Sequence, residues 1–188
     1  MNKARELSVQ EYHRLIQAGI LTTNDRVELL EGLLVERERR TPQHDYSLHC
    51  GMEEFRRILP AEWDLRTRCA ITLSDSEPEP DLVCVKGDDR AYVSRRPEPA
   101  DIGQLTEVAD SSLDFDRTTR SRIYARAGIC YYWIINLVDQ QIEVYASPSG
   151  PTANPSYAKR TDYRPGDSVP FVLDGAEVAR IPVSDLLP

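Results

Sequence analysis

The sequence predicts an α/β (α+β) fold: one mixed β-sheet flanked by helices, with an N-terminal helix and a β-hairpin ahead of it. Two observations carry this. Some stretches repeat apolar residues at helical spacing, while others form short apolar runs of strand length. These stretches interleave as helix, hairpin, helix, strands, helix, hairpin, and strands mixed with helices in this way pack as layers around one sheet. The 188 residues suit a single domain over 1–188, with enough chain to bury a core unaided.

Leu-Ser-Val-Gln-Glu (7–11) reads as a helix start. Ser8 can cap it and Glu11, three residues on, completes a capping box; Leu7 can staple onto Tyr12, and Gly19 can end the helix. In 26–36, two apolar runs flank Glu31-Gly32, which predicts a tight hairpin. Leu48, Met52, Phe55 and Leu59 mark a helix over 44–59 that Pro60 ends, with His44 extending the stripe. Strands are expected at 63–73 and 81–86, a loop at 87–101 and a buried strand from Gly103 to Ala109. A helix over 114–127 stops at Gly128. Tyr131–Leu137 and Ile142–Ala146 pair around Asp139-Gln140, 147–156 is a turn-rich loop, and short strands fill 157–182 before a last turn at 183–187.

The composition excludes several classes. With 31 acidic against 23 basic residues the net charge is −8, so a broad electrostatic coat for nucleic acid is absent, although a local basic groove is not. Arginines do cluster, at Arg37, Arg39 and Arg40, at Arg56 and Arg57, and at Arg117, Arg120, Arg122 and Arg126; the plain reading of such clusters is a solvated face. Cys50, Cys69, Cys84 and Cys130 are scattered without metal spacing and read as reduced, mostly buried thiols. No run of apolar residues is long enough for a membrane span, and the first residues lack an export signal, so the chain is expected to be cytoplasmic.

Three acids stand where strands should be buried. Asp81 shares a face with Val83 and Val85, Glu107 with Leu105 and Ala109, and Glu28 lies among Val27, Leu29 and Leu30. A carboxylate among apolar neighbours is costly unless paired or metal-bound, and hard divalent ions favour clustered oxygens. Either the three share a cation or they occupy separate, hydrated edge positions. On the helix after Glu107, a rotation of about 100° per residue puts Asp116 and Arg120 on the face of Leu113, Ile123, Tyr124 and Ala127. Arg120 then points at the sheet, where Glu107 and Asp81 can receive it; a simple Arg120–Asp116 pair is the other reading.

Glu-Leu-Leu-Glu-Gly (28–32), His44, Ser-Glu-Pro-Glu-Pro-Asp-Leu (76–82), Thr-Glu-Val-Ala-Asp-Ser-Ser (106–112) and Tyr-Ala-Arg-Ala-Gly-Ile-x-Tyr-Tyr-Trp-Ile (124–134), in this order, resemble the bacterial Uma family (Uma-two) of restriction-endonuclease-like proteins, in the PD-(D/E)XK superfamily. The resemblance runs from about residue 8 to the C-terminus. It implies a restriction-endonuclease-like mixed sheet, DNA as partner, Mg²⁺ (or Mn²⁺) as cofactor, and metal-site acids at Glu28, Asp81 and Glu107. The superfamily lysine two residues after the second acid falls on Ala109; similar family members carry it on the next helix, at the position of Arg120.

The function this implies is a metal-dependent endonuclease that hydrolyses DNA phosphodiester bonds, with Asp81, Glu107 and Arg120 catalytic and His44 a phosphate contact. Because arginine stays protonated, it cannot replace lysine as a base, although it can stabilise phosphate charge. The alternative is therefore a catalytically degenerate nuclease fold that binds nucleic acid or protein. A carboxylate-pair glycosidase would need an aromatic cleft, for which two tryptophans are few, and no G-x-S-x-G signal supports a serine hydrolase. A homodimer through terminal hairpins extending a sheet edge is a further expectation.

Overall fold

The computed structural model describes residues 5–188; the lead-in residues 1–4 lie outside it. Helix α1 (Val9–Gln17) opens with the capping box formed by Ser8 and Glu11. Strands β1 (Val27–Leu30) and β2 (Leu33–Glu36) pair antiparallel. Their two-residue turn has φ of 48° at Glu31 and 77° at Gly32, the positive angles that a hairpin matched to strand twist requires. Helix α2 (Pro42–Ile58) is capped by Thr41, with Pro42 at its first position, where no N–H is needed. It starts two residues before the expected boundary.

Strands β3 (Trp63–Thr67), β4 (Leu82–Lys86), β5 (Ile102–Ala109), β6 (Tyr131–Asn136), β7 (Gln141–Pro148) and β8 (Tyr157–Tyr163) form one sheet in the order β3-β4-β5-β6-β7-β8. All neighbours are antiparallel except β5 and β6. The helical connection between these two begins with a short turn, α3 (Leu113–Phe115), passes through a π turn at Asp116–Arg120 and ends as α4 (Ser121–Ala127), which Gly128 stops at φ 77°. Strands β9 (Ser168–Leu173) and β10 (Ala176–Pro182) make a separate hairpin.

Alternation along the strands divides the core in two. One face takes Leu82, Val108, Trp133 and Ile135 against Leu48 and Phe55 of α2 and against Phe171 and Ile181 of the β9–β10 hairpin. Phe55 is fully buried, edge-on to Trp133 and tilted against Phe171. The other face takes Val83, Leu105, Ala109 and Ile134 against Ile123 and Tyr124 of α4 and Leu30 of the first hairpin.

Three expectations need correction. The strand expected over 63–73 stops at Thr67, because Arg68 turns to φ 52° and the chain leaves the ladder. Residues 71–78 then fold back on themselves, with Ile71 N–H donating to the Pro78 carbonyl and Leu73 N–H to that of Ser76. The C-terminal hairpin lies on a face of the six-stranded sheet and does not extend its edge; the edges of that sheet are β3 and β8. Of the four thiols only Cys84 is buried, and Cys130 is exposed. No helix among the described residues is long and apolar enough to cross a membrane.

Candidate active site

The register of β4 on β5 builds the centre of the site. Leu82 pairs with Thr106, so one residue further Asp81 stands opposite Glu107. Both acids face the side of the sheet covered by α4. Asp81 N–H donates to Glu107 Oε2 at 3.2 Å, and Val108 N–H donates to Asp81 Oδ2 at 3.0 Å. Each acid thus bonds a backbone N–H at or next to the other, which fixes both carboxyl groups in one place although each residue is less than a tenth exposed.

From the helical side the π turn brings Asp116 and Arg120 to the same point. Arg120 donates through Nη2 to Glu28 Oε1 at 2.5 Å, lies 3.2 Å through Nη1 from Glu107 Oε1, and lies 3.1 Å through Nε from Asp116 Oδ1. Tyr124, one turn on, donates its hydroxyl to Glu107 Oε1 at 2.7 Å. Ser112 donates to Asp116 Oδ2, and Glu79 N–H to Glu28 Oε2. π turns recur at functional sites because the extra residue redirects side chains.

The electrostatics follow from burial. Removal from water pushes the Glu107 carboxyl well above its usual range; Arg120 pulls it back, while Asp81 and Asp116 push it further. Burial likewise raises Asp116 to about 6 against the pull of Arg120. For Arg120 itself burial opposes the charge, and Glu107, Tyr124, Glu28 and Asp116 more than offset it, so the guanidinium holds its proton firmly.

These groups floor a cavity of about 170 Å³ whose rim carries Arg37, Arg39, Arg40 and Arg68. Arg37 pairs with Glu79 and Arg40 with Asp45, whereas Arg39 and Arg68 have no carboxylate partner among the described residues. Arg68 N–H donates to the Asp81 carbonyl, which ties its place on the rim to the motif acid. Its guanidinium is held below the ordinary arginine range by partial burial and by the like charge of Arg40.

The expected site residues are therefore sorted as follows. Asp81, Glu107 and Arg120 line one cavity together. Glu28 is there too, tied to Arg120 and to the Glu79 N–H. Among the described residues no three Asp, Glu, His or Cys side chains are gathered as a metal cage. Arg120 was expected to meet Glu107 and Asp81; it meets Glu107, Glu28 and Asp116. His44 lines the same cavity and presents Nε2 to Asp81 Oδ2 at 3.1 Å, while its Nδ1 is buried without a partner among the described residues. Ala109, at the superfamily lysine position, is fully buried in the core. Sequence reasoning passed over Arg68 and the hydroxyl of Tyr124. Tyr124 shares the helix face of Arg120, and that spacing was the available signal; nothing in Arg-Thr-Arg-Cys marked Arg68.

A two-carboxylate donor set still fits Mg²⁺, which keeps several waters and commonly takes one or two carboxylates plus substrate phosphates. Asp81 Oδ1 has no donor among the described residues, and Glu107 sits beside it.

Comparison with known proteins bears on the fold and the family. The chain is similar over 96 % of its length, and over 97 % of the other chain, to a crystal structure from Anabaena variabilis described as "a putative nuclease belonging to DUF820", with a TM-score of 0.72 and 15 % identity. At that identity the likeness shows a shared fold. No curated protein matches the sequence. The model of the Uma2 family, described as "Putative restriction endonuclease", matches residues 9–178, and the chain belongs to that family.

Proposed function

We propose that this pocket binds DNA and hydrolyses its phosphodiester bonds, with Asp81 and Glu107 holding a divalent ion, Mg²⁺ or Mn²⁺. The observation that supports this reading most directly is the mutual backbone bonding of Asp81 and Glu107 on the floor of a cavity rimmed by four arginines. An ion held by these two acids would supply Lewis-acid polarisation of the phosphoryl group and a water of lowered pKa. The chain's own groups do the rest. Arg39 and Arg68, free of carboxylates, take phosphates of the incoming strand. Arg120 stabilises charge that develops on the phosphoryl oxygens and does not act as a base. His44 fixes the orientation of Asp81, and Tyr124 that of Glu107.

Arg120 also favours a second reading, a nuclease fold that binds nucleic acid or protein without cutting, since the position that supplies lysine in similar proteins here supplies a group that cannot lose its proton. One assay separates the two. Purified chain is incubated with Mg²⁺ or Mn²⁺ on linear, supercoiled and single-stranded DNA, beside Asp81→Ala. Cleavage by the wild type alone supports the enzyme; equal cleavage by both is contamination and removes it.

A further inference from the structure

The carboxylates of the site already hold a cation. Every oxygen of Glu28, Glu107 and Asp116 accepts from a protein donor, and three of these bonds or pairs come from Arg120, whose side chain is 12 % exposed. Among the described residues, Asp81 Oδ1 alone is left without one. One oxygen is a thin donor set for a hard dication that seeks six. For a second, Glu107 must give up either the Asp81 N–H, fixed at the corner of the β4–β5 ladder, or the Arg120 side of its carboxyl. Both contacts are 3.2 Å long, but the Arg120 one is made by a side chain that can swing, whereas the Asp81 N–H is held by the strand backbone. A guanidinium and a dication drawn to the same buried carboxylate repel each other at short range. Arg120 cannot simply be released either, because a buried charge stripped of an acceptor is costly.

A phosphodiester resolves both conflicts, because its two non-bridging oxygens match the guanidinium fork. Resting on the nuclease reading above, we infer that the divalent ion and the nucleic-acid backbone load together: Arg120 passes from Glu107 to a substrate phosphate, and Glu107 is thereby released to the ion. The protein without DNA then resists the metal, and the metal strengthens DNA binding by the same factor by which DNA strengthens metal binding. Arg39 and Arg68 on the rim supply the first contacts of the strand and bring a phosphate within reach of Arg120.

The test is a Mn²⁺ titration of the full chain followed by the electron paramagnetic resonance signal of free Mn²⁺. It is run with and without a saturating phosphorothioate DNA duplex that resists cleavage, and Mn²⁺ taken by DNA alone is subtracted. Wild type should bind Mn²⁺ at least about tenfold more tightly with DNA present. Arg120→Met, which has no competing cation, should bind Mn²⁺ tightly without DNA and gain less than about threefold from it. Arg120→Lys, with an ammonium that reaches fewer acceptors, should fall between the two and covers the case in which Arg120→Met does not fold. Equal Mn²⁺ affinity of the wild type with and without DNA overturns the coupling and leaves the metal-nuclease reading standing. Absence of Mn²⁺ binding under both conditions overturns both.

Discussion

Asp81 and Glu107 are locked to each other through the backbone of adjacent strands: Asp81 N–H reaches Glu107 Oε2, and the N–H that follows Glu107 reaches Asp81 Oδ2. An acid held in this way can lose its charge without losing its place. Asp81→Asn keeps an oxygen for the Val108 N–H. It should therefore leave the melting temperature within about 3 °C of wild type while lowering metal-dependent DNA cleavage at least about a hundredfold. Thermal melts and a plasmid-nicking assay read the two effects. Cleavage near the wild-type rate would remove Asp81 from the reaction.

Arg120 is the only cation in contact with Glu28, Glu107 and Asp116 among the described residues. Arg120→Met leaves three buried carboxylates facing one another, a loss of about 3–5 kcal/mol when they are ionised. The sign of the pH dependence follows from the raised Glu107 and Asp116. Groups whose folded pKa is raised favour the fold while protonated and lose that contribution as pH rises. Without Arg120 both are raised further, so the cost of the substitution should be smaller at pH 5 than at pH 8. Urea unfolding of both proteins at the two pH values measures it, and a cost independent of pH would mean that these carboxylates are not what Arg120 neutralises.

Asp116 makes a narrower case. Its carboxyl is raised from 3.8 to about 6 by burial. The neutral acid therefore favours the folded state; its full contribution is present below about pH 4 and is lost as pH climbs through about 6. The shift corresponds to about 3 kcal/mol between the ends of that window. Asp116→Asn has nothing to ionise, so the stability of wild type relative to this variant should fall by an amount of that order from pH 4 to pH 7. Parallel curves over that range would show that Asp116 titrates as it does in water.

Much of this site was legible because two periodicities converge on it. Alternation put Asp81 with Val83 and Glu107 with Leu105, and the observed core keeps those faces. Helical rotation turned Arg120 toward the sheet, where it lies. The identity of its partners was not legible, since a π turn at 116–120 carries an extra residue that an α-helical count cannot show and that changes where the guanidinium ends. The strand end at Arg68 escaped because a left-handed residue other than glycine or asparagine leaves no compositional mark. The place of the β9–β10 hairpin escaped because alternation says which residues of a strand are buried and not which surface buries them.

The π turn is itself anchored from β7. Glu143 is fully buried and accepts from Arg117 Nε at 3.1 Å, Asn136 Nδ2 at 2.7 Å and the Tyr145 hydroxyl at 2.8 Å, with Arg160 also at 3.1 Å. Arg117 lies inside the turn, between Asp116 and Arg120, so the carboxylate of Glu143 holds the segment that aims both. Glu143→Leu removes this acceptor, leaving Arg117 and Asn136 only Asp139 and Arg160 only Asp162, and should cost about 2–4 kcal/mol. The loss should be local in part: backbone amides of 116–120 should exchange hydrogen faster than those of β5 and β6. Adding Arg117→Met removes one of the charges that lost Glu143 and should recover part of the stability without restoring the slow exchange. Unchanged exchange at 116–120 in Glu143→Leu would mean that the turn is held by its other bonds, such as Arg120 to Glu28 and the Tyr132 hydroxyl to the Asp116 carbonyl, with Glu143 serving only its own strand.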